Sequence, residues 1–404
     1  MRRLLQLLLL LGLSGAVTGQ DGPGRLLSHE THSLFAPEQV DAEVAGRFAN
    51  NGEAAPSAVT SVELLLISFS TTAPDGAEVT GVAQLFVPQQ AADPGLLAFA
   101  AGSTGLPGTC GPMHELLSTG SLETYGSTAL AYAGQGLTTV LPDYLGTLAG
   151  DGLQPYFVAT AGATVMIDAL RASIEALERI GRDISVQAGF LAGYSQGGHA
   201  VMAAADRLAT YAPDLEVGGV IGFGASGDVA VLFRNFPYTV PWAVWSYAHA
   251  FPNHELDPAE VLAPEFARTL EDDVRAHCIA AAQVVYPAEA ASLYTPEFFS
   301  ALDNRTLGED FPDWADVFTA NATAVNAHGL PVLLLQGTED TVVPFQDQTD
   351  YVLRLCDHGS PVRYVNYVRT RHETRYIGFN TTLEWIRDRL AGQQAPSDCQ
   401  EVRQ

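Results

Sequence analysis

The chain has 404 residues, of which 47% are hydrophobic and 16% are charged, and this supplies enough apolar material for one large core or two smaller ones. All 20 basic residues are arginine, and the formal net charge is −26. Such a charge disfavours electrostatic binding to nucleic acid or to anionic lipid headgroups. The composition predicts a globular protein that does not bind nucleic acid.

The first 19 residues have the layout of a secretory signal peptide. Arg2 and Arg3 precede an apolar run of about ten residues, which is short for a membrane span of about 20. Small residues follow, so that cleavage after Ala16 or Gly19 fits the pattern. The sequence therefore predicts a secreted protein, extracellular or periplasmic. Residues 20–58 are polar and lack a clear period, and we expect a loosely packed N-terminal arm there.

Two segments, residues 62–72 and 77–88, predict strands that form a hairpin through a turn at Asp75 and Gly76. We expect this hairpin at one edge of a sheet. Further short, continuous apolar runs are typical of strands that are buried on both faces of a parallel sheet. These runs are residues 95–102, 137–144, 188–195, 217–225, 331–340 and 361–368.

Helical patterns alternate with these runs. Apolar residues recur at spacings of three and four in residues 157–180 and again in 196–212. The alternation predicts an α/β fold, a mostly parallel sheet with helices on both faces, over residues 59–227 and 328–404. Residues 228–327 have no run of the buried-strand type, and about 100 residues are too many for a simple connection. We expect a mainly helical cap there, over the carboxyl ends of the strands, where ligands bind in such folds.

A strand-to-helix junction carries the strongest chemical signal. Gly193, Ser195 and Gly197 fit the pattern G-x-S-x-G, with a buried strand before it and a helix after it. A serine nucleophile in this motif sits in a strained turn, and its neighbours must be small. The backbone N–H of Gln196, at the start of the helix, is placed to donate to an oxyanion. We predict that Ser195 is a nucleophile rather than only a helix cap.

A serine hydroxyl needs a base, and the base needs an acid that holds its tautomer. Asp340 follows a buried strand in a glycine-containing loop, and we expect its neighbour Glu339 to point to solvent. His372 follows the last predicted strand and opens the last predicted helix. The order serine, aspartate, histidine is the one expected for this strand–turn–helix context, so we predict Asp340 as the acid and His372 as the base.

Other histidines compete for the role of base. His199 lies four residues after Ser195 on the same helix and does not easily reach its hydroxyl. His358 is expected in a surface loop. Three more histidines lie in the predicted cap, where a satisfied polar role is more common than catalysis: His249, His254 and His277.

A second backbone donor for the oxyanion is expected from the loop after the strand at 95–102. This loop, "AGSTGLPGTCGP", is rich in glycine and can approach a ligand closely. Ser103 is the first choice for the donor and Thr104 the second. The alternative is an ordinary strand-to-helix loop.

Four cysteines in an exported chain favour two disulfides over free thiols, and the count alone allows three pairings. They are Cys110, Cys278, Cys356 and Cys399. No CxxC pair and no cysteine–histidine pair at zinc-ligand spacing occurs, so a structural zinc site is not expected. We expect neither a metal nor an organic cofactor.

Together, the segments "GYSQGGHA", "AGSTGLPGTCGP", "LPDYLG", "QPYFVA" and "LLLQGTEDTVVP" followed by His372 resemble the secretory lipase family of α/β-hydrolases. The resemblance runs from about residue 60 to 392 and is weakest in the cap. It implies an α/β-hydrolase fold, a Ser195–His372–Asp340 triad, and the disulfides Cys110–Cys278 and Cys356–Cys399. Many relatives have histidine before the oxyanion glycine, where this chain has Ala101.

The predicted function is hydrolysis of carboxylic esters by a secreted lipase or carboxylesterase through an acyl-enzyme. An aromatic, apolar cap favours hydrophobic acyl groups, so the expected partner is a small-molecule or lipid ester. A transient contact between the cap and a lipid interface is compatible with this prediction, and the oligomeric state is left open. The alternatives are a secreted peptidase on the same fold and a non-catalytic binding module. The latter would be expected to have lost a triad residue.

Overall fold

The computed structural model describes residues 22–90, 93–146, 152–182 and 188–404. The predicted signal peptide, residues 1–19, lies outside the described residues. Across the described ranges, no helix is both long and apolar enough to cross a membrane.

The described residues form one sheet of nine strands in the order β1-β2-β3-β5-β4-β6-β7-β8-β9. The pairs along β1, β2, β3 and β5 are antiparallel, and the pairs from β5 through β4 to β9 are parallel. The strands are β1 Leu26–Phe35, β2 Val62–Thr72, β3 Glu78–Pro88, β4 Gly95–Ala100, β5 Thr138–Pro142, β6 Ala188–Tyr194, β7 Val217–Phe223, β8 Val332–Gly337 and β9 Val362–Tyr367. Each of the six apolar runs therefore contains a strand.

Helices cover both faces of this sheet, because the central strands are apolar on both sides. The helices of the core are α1 Pro37–Asn50, α2 Pro112–Thr119, α3 Thr124–Gly134, α4 Ala159–Arg179, α5 Gln196–Tyr211, α15 Phe345–Asp357 and α16 Phe379–Leu390. Helices α4 and α5 bury apolar side chains against one face. Helices α1, α3 and α16 do so against the other face.

The N-terminal segment differs from the loosely packed arm expected for residues 20–58. Strand β1 pairs with β2 and forms the edge of the sheet, so the predicted hairpin of β2 and β3 is one position inside it. Strand β1 was not predicted because its sequence is polar, and an edge strand can be polar because it exposes part of its length to water. Helix α1 buries Val40, Val44 and Phe48, spaced four residues apart, which is a helical pattern that the sequence does contain.

Helices occupy the chain between β7 and β8, and none of its residues, all of which are described, joins the sheet. These cap helices are α6 Val229–Asn235, α7 Val240–Ala250, α8 Pro258–Val261, α9 Pro264–Ala276, α10 Ile279–Val285, α11 Ala290–Leu293, α12 Pro296–Asn304, α13 Leu307–Asp310 and α14 Pro312–Ala320. The aromatic residues of the cap pack on one another, as Phe233 does on Phe318 at 4.6 Å between ring centroids. The aromatic side chains of the cap therefore pack mainly on one another within it.

The order of the central strands positions the site. The chain runs from β4 to β5 on one side of β4 and later to β6 on the other side. Ala100 at the end of β4 pairs with Gly193 near the end of β6. A reversal of this kind opens a crevice at the carboxyl ends of the strands, and the loop after β4 and Ser195 after β6 both begin there.

Candidate active site

Ser195 forms the turn between β6 and α5. Its backbone has φ 54° and ψ −113°, a conformation that costs a non-glycine residue roughly 1–3 kcal/mol. Its N–H donates to the carbonyl oxygen of Phe223, 3.0 Å away, which fixes the turn against β7. The residue is 8% exposed. This backbone strain at a motif serine is the feature that the sequence predicted.

The glycines around Ser195 have no room for a side chain. A Cβ on Gly197 would lie 2.2 Å from the carbonyl oxygen of Ala100, and one on Gly193 would lie 2.1 Å from the carbonyl oxygen of Gly197. Distances below 3.0 Å to backbone atoms cannot be relieved by a side-chain rotation. The start of α5 is therefore pressed directly against the end of β4.

Asp340 and His372 form a hydrogen-bonded pair. Nδ1 of His372 lies 2.8 Å from Oδ2 of Asp340. The aspartate also accepts hydrogen bonds from the backbone N–H groups of Val342 at 2.8 Å and Val343 at 2.9 Å, and from Nε2 of Gln336 at 3.1 Å. Its carboxylate is fully buried, so these donors take the place of water. Asp340 is thereby held rigidly as a hydrogen-bond acceptor.

The imidazole of His372 lies beside the serine turn. Its ring centroid is 5.0 Å from that of Tyr194, the residue before Ser195. A Cβ on Gly224, the residue after Phe223, would lie 2.9 Å from Nδ1 of His372. Nε2 of His372 is buried and has no hydrogen-bond partner among the described residues. The structure thus places the hydrogen-bonded pair of His372 and Asp340 beside the turn that contains Ser195.

One detail of the histidine differs from the expectation. His372 does not open the last helix, because α16 begins only at Phe379. The intervening segment is a loop whose turns include the backbone hydrogen bond from Gly378 to Thr374, 2.9 Å long. The helical spacing of apolar residues past 373 suggested a longer helix than the chain forms.

The competing residues lie elsewhere. His199 is buried in α5, where its Nε2 lies 2.7 Å from the carbonyl oxygen of Asn321; burial lowers its pKa to about 4, so it is neutral near pH 7. Glu339 is exposed, as expected. His358 follows the end of α15.

The cap histidines contact cap residues: His249 packs on Trp245, His254 contacts Phe251, and His277 lies 3.8 Å from Asp273.

The loop after β4 presents free backbone donors. The N–H groups of Ser103, Thr104 and Gln196 donate to no residue in the part of the chain that the structure describes. The side chain of Ser103 is held at 2.6 Å by the hydroxyl of Tyr156. The carbonyl oxygen of Thr104 accepts from the N–H of Ile279, 2.8 Å away in the cap. The loop is therefore anchored through the side chain of Ser103 and the carbonyl of Thr104 rather than through their N–H groups.

Gln154 is a site-building residue that the sequence did not single out. Its Oε1 accepts from Nε2 of Gln196 at 2.8 Å, and its backbone N–H donates to Leu106 at 2.8 Å. Its Nε2 also donates to the carbonyl oxygen of Gly105. Gln154 thus joins the residue after the serine to the loop after β4. The segment "QPYFVA" carries the residue, but its partners are distant in sequence.

Both disulfides that the resemblance implies are present. Cys110 and Cys278 join the loop after β4 to the cap, with Cα atoms 5.5 Å apart. Cys356 and Cys399 join the end of α15 to the C-terminal segment, with Cα atoms 5.7 Å apart. The first of these bonds ties the candidate oxyanion loop covalently to the cap.

Known proteins resemble the chain in sequence and in structure. The secretory lipase family matches residues 119–398, more than half of the chain. The secreted triacylglycerol lipase LIP4 of Malassezia globosa is 24% identical over 351 residues, which are 83% of this chain and 74% of that protein.

Two solved structures share the fold. The ligand-bound rice cell wall degrading esterase LipA of Xanthomonas oryzae superposes with a TM-score of 0.74 at 18% identity, covering 92% of this chain and 100% of that one. The closed state of Candida antarctica lipase A gives a TM-score of 0.68 at 21% identity, covering 92% and 83%. The predicted α/β-hydrolase fold is confirmed. The chain belongs to the secretory lipase family, and it is a secreted enzyme that hydrolyses carboxylic esters.

Proposed function

We propose that ester hydrolysis in this chain proceeds through Ser195 as nucleophile, His372 as general base and Asp340 as the acid that orients the histidine. The observation that carries this proposal is the arrangement of His372. Its Nδ1 lies 2.8 Å from Asp340, while its Nε2 is buried beside the turn of Ser195 and has no hydrogen-bond partner among the described residues. An ionised carboxylate can only accept a hydrogen bond, so Nδ1 carries the proton in this contact. The unprotonated nitrogen of the neutral ring is then Nε2, which can take the serine proton.

In this mechanism the Ser195 hydroxyl loses its proton to His372 as its oxygen attacks the ester carbonyl. The tetrahedral intermediate collapses when the imidazolium gives that proton to the leaving alcohol, and an acyl-enzyme remains. Water then attacks the acyl group and gives a proton to His372; the bond to the Ser195 oxygen breaks as the imidazolium returns this proton to that oxygen, and the carboxylic acid leaves. Asp340 stabilises the imidazolium that forms twice in this cycle.

We propose that the oxyanion of the intermediate is held by the N–H of Gln196 and by an N–H of the loop after β4. Gln196 is the first residue of α5, where the helix dipole favours negative charge. Ser103 is the preferred second donor, with Thr104 as the alternative. The backbone N–H groups of all three residues donate to no other described residue, which supports this assignment.

The substrates that we propose are lipid and other esters with hydrophobic acyl groups, as for a triacylglycerol lipase or carboxylesterase. The support is the name of the Malassezia relative, a secreted triacylglycerol lipase, and that of the Xanthomonas neighbour, an esterase. Cap helix α10 has Val284 85% exposed, next in the chain to the segment that Cys278 ties to the loop after β4. This apolar residue supports a transient contact of the cap with a lipid interface.

The test compares the wild type with Ser195→Ala on p-nitrophenyl esters of increasing acyl length and on a peptide anilide. We expect ester hydrolysis by the wild type and a loss of about 10⁴-fold or more in kcat for Ser195→Ala. A fluorophosphonate probe should label only the wild type. Equal ester rates for the two proteins would refute the assignment of Ser195, and faster cleavage of the anilide than of every ester would favour a peptidase.

A further inference from the structure

We propose that Arg375, which does not belong to the triad, is a positioning residue. Through the ring of Tyr194 it fixes the relative positions of the Ser195 turn, the His372 loop and the loop after β4. This inference rests on the proposed triad. It assigns a role in catalysis to a buried cation that no step of the mechanism uses.

Arg375 is surrounded by tyrosine rings. Its side chain is 3% exposed, and the central carbon of its guanidinium lies 4.4 Å from the ring centroid of Tyr194, 4.7 Å from that of Tyr125 and 5.2 Å from that of Tyr376. Cations within about 6 Å of a ring face are attracted to it, most strongly where water is excluded. We call these three tyrosines and Arg375 the tyrosine cage.

Glu373 fixes the guanidinium in the cage. Oε1 of Glu373 accepts from Nε of Arg375 at 2.9 Å and from its backbone N–H at 3.0 Å, and Oε2 accepts from Nη2. Burial lowers the pKa of Arg375, but the carboxylate of Glu373 more than offsets this, so the pKa lies above its usual value and the side chain stays charged. A fork of this kind orients a planar guanidinium, which an ammonium group would not match.

The cage touches three segments of the site. Tyr194 immediately precedes Ser195, and its ring is 5.0 Å from the imidazole of His372. A Cβ on Gly102, in the loop after β4, would lie 2.7 Å from both the ring of Tyr194 and the hydroxyl of Tyr125. Glu373 is the residue after His372. Movement of the guanidinium would therefore loosen the nucleophile, the base and the candidate oxyanion loop together.

Stability alone does not account for a cation at this place. The guanidinium of Arg375 is buried, while the side chain of Glu373 is 27% exposed. An ion pair with a buried member rarely contributes more to stability than apolar residues of similar volume, because the desolvation of the buried charge offsets the attraction. Correct orientation, by contrast, has a large effect on rate, since a misplacement of about 1 Å can cost about 100-fold. The tyrosine cage fits the second purpose, because its contacts converge on the catalytic segments.

The test replaces Arg375 by Met and by Lys and measures kcat, KM and the rate of fluorophosphonate labelling. For Arg375→Met we expect kcat and the labelling rate to fall about 10- to 100-fold with KM within twofold of the wild type. Arg375→Lys keeps the charge on the rings but loses the fork to Glu373, and should recover part of the loss. The matched control is Arg171→Met, because Arg171 also pairs with a carboxylate, Asp214, and lies over a tyrosine.

A folded Arg375→Met protein with wild-type kcat, or one whose KM alone changes, would overturn the positioning role. If Arg375→Met fails to fold, Tyr125→Leu removes one ring of the cage without touching the charge, and the same fall in kcat is expected. Unchanged kcat in that variant would equally overturn the proposal. Failure of the triad itself is recognised separately, because Ser195→Ala would then keep its activity.

Discussion

Backbone geometry and hydrogen bonds hold the candidate triad residues in place. Ser195 holds a strained turn, Asp340 has its carboxylate occupied by four donors, and His372 is aimed by one of those contacts. The types and the chain order of these residues could be predicted from the sequence, because a G-x-S-x-G motif between a strand and a helix is compatible with few kinds of chemistry. Gln154 and Arg375 were not, since their roles come from contacts with residues far away in sequence.

At the residue scale we predict that Gly197→Ala disrupts the site. The new Cβ would be 2.2 Å from the carbonyl oxygen of Ala100, so the serine turn must separate from β4. Ester hydrolysis should fall at least about 100-fold, and the protein should lose roughly 1–3 kcal/mol of stability. Both are measured on purified protein, by steady-state kinetics and by urea unfolding.

The control for this change is Gly46→Ala. Gly46 is exposed on α1 and has open space around its Cβ position, so alanine should leave activity unchanged and raise stability slightly. Wild-type kinetics for Gly197→Ala would contradict the close contact between α5 and β4.

At the scale of elements, the continuous apolar runs predicted the buried strands well, because a strand covered on both faces has no polar side. Strand β1 was missed, since an edge strand depends on pairing more than on local pattern. Helix α1 was missed although Val40, Val44 and Phe48 have helical spacing. The helix after His372 was predicted too long. Local pattern also does not give the order of the strands in the sheet. In the site, the order of β4, β5 and β6 is what brings the candidate oxyanion loop next to the serine turn.

The junction of these elements gives the second prediction. Gln154→Leu removes the hydrogen bonds that link Gln196 to the carbonyl oxygen of Gly105, and leaves buried polar groups unsatisfied. We expect kcat to fall about tenfold, with a loss of about 1–3 kcal/mol in stability. Steady-state kinetics and denaturant unfolding measure the two effects.

Gln346→Leu serves as the comparison, because Gln346 is exposed on α15 and bonds only to Asp350 among the described residues, at 3.0 Å. It should behave as the wild type in both measurements. If Gln154→Leu loses stability while kcat stays constant, then the bridge supports only the fold.

At the scale of the whole molecule, two apolar layers flank the sheet, and one of them contains a carboxyl group outside the active site. Asp168 on α4 has no exposed surface, and its Oδ2 accepts from the hydroxyl of Tyr211 at 2.8 Å. Burial raises its pKa to about 6, against the opposing effects of the hydrogen bond from Tyr211 and of the positive charge of Arg171. The folded protein therefore binds this proton more tightly than the unfolded chain does.

The third prediction concerns pH and stability. Because the folded-state pKa of Asp168 is raised, its favourable contribution is complete below about pH 4 and is lost as pH rises through about 6. Asn at position 168 does not ionise, so Asp168→Asn does not lose this stability as the pH rises. The free energy of unfolding of the variant should therefore increase relative to that of the wild type by roughly 2–3 kcal/mol between pH 4 and pH 7. Urea unfolding of both proteins at the two pH values measures the difference.

The exposed residue Asp303, replaced by Asn, controls for the general effect of removing one negative charge, and its difference from the wild type should not follow this pH window. A constant difference between Asp168→Asn and the wild type at both pH values would mean that the buried carboxyl does not titrate in this range.

The bond between Cys110 and Cys278 also concerns when the enzyme becomes competent. It closes 168 residues of chain and fixes the candidate oxyanion loop to the cap, but thiols stay reduced inside the cytosol. Before export the two parts would be held only by weaker contacts, such as the backbone hydrogen bond from Ile279 to Thr104 and the β-bridge between Gly105 and Cys278. We therefore expect oxidation during secretion to complete the catalyst, so that the cell producing it is spared an active hydrolase among its own lipids.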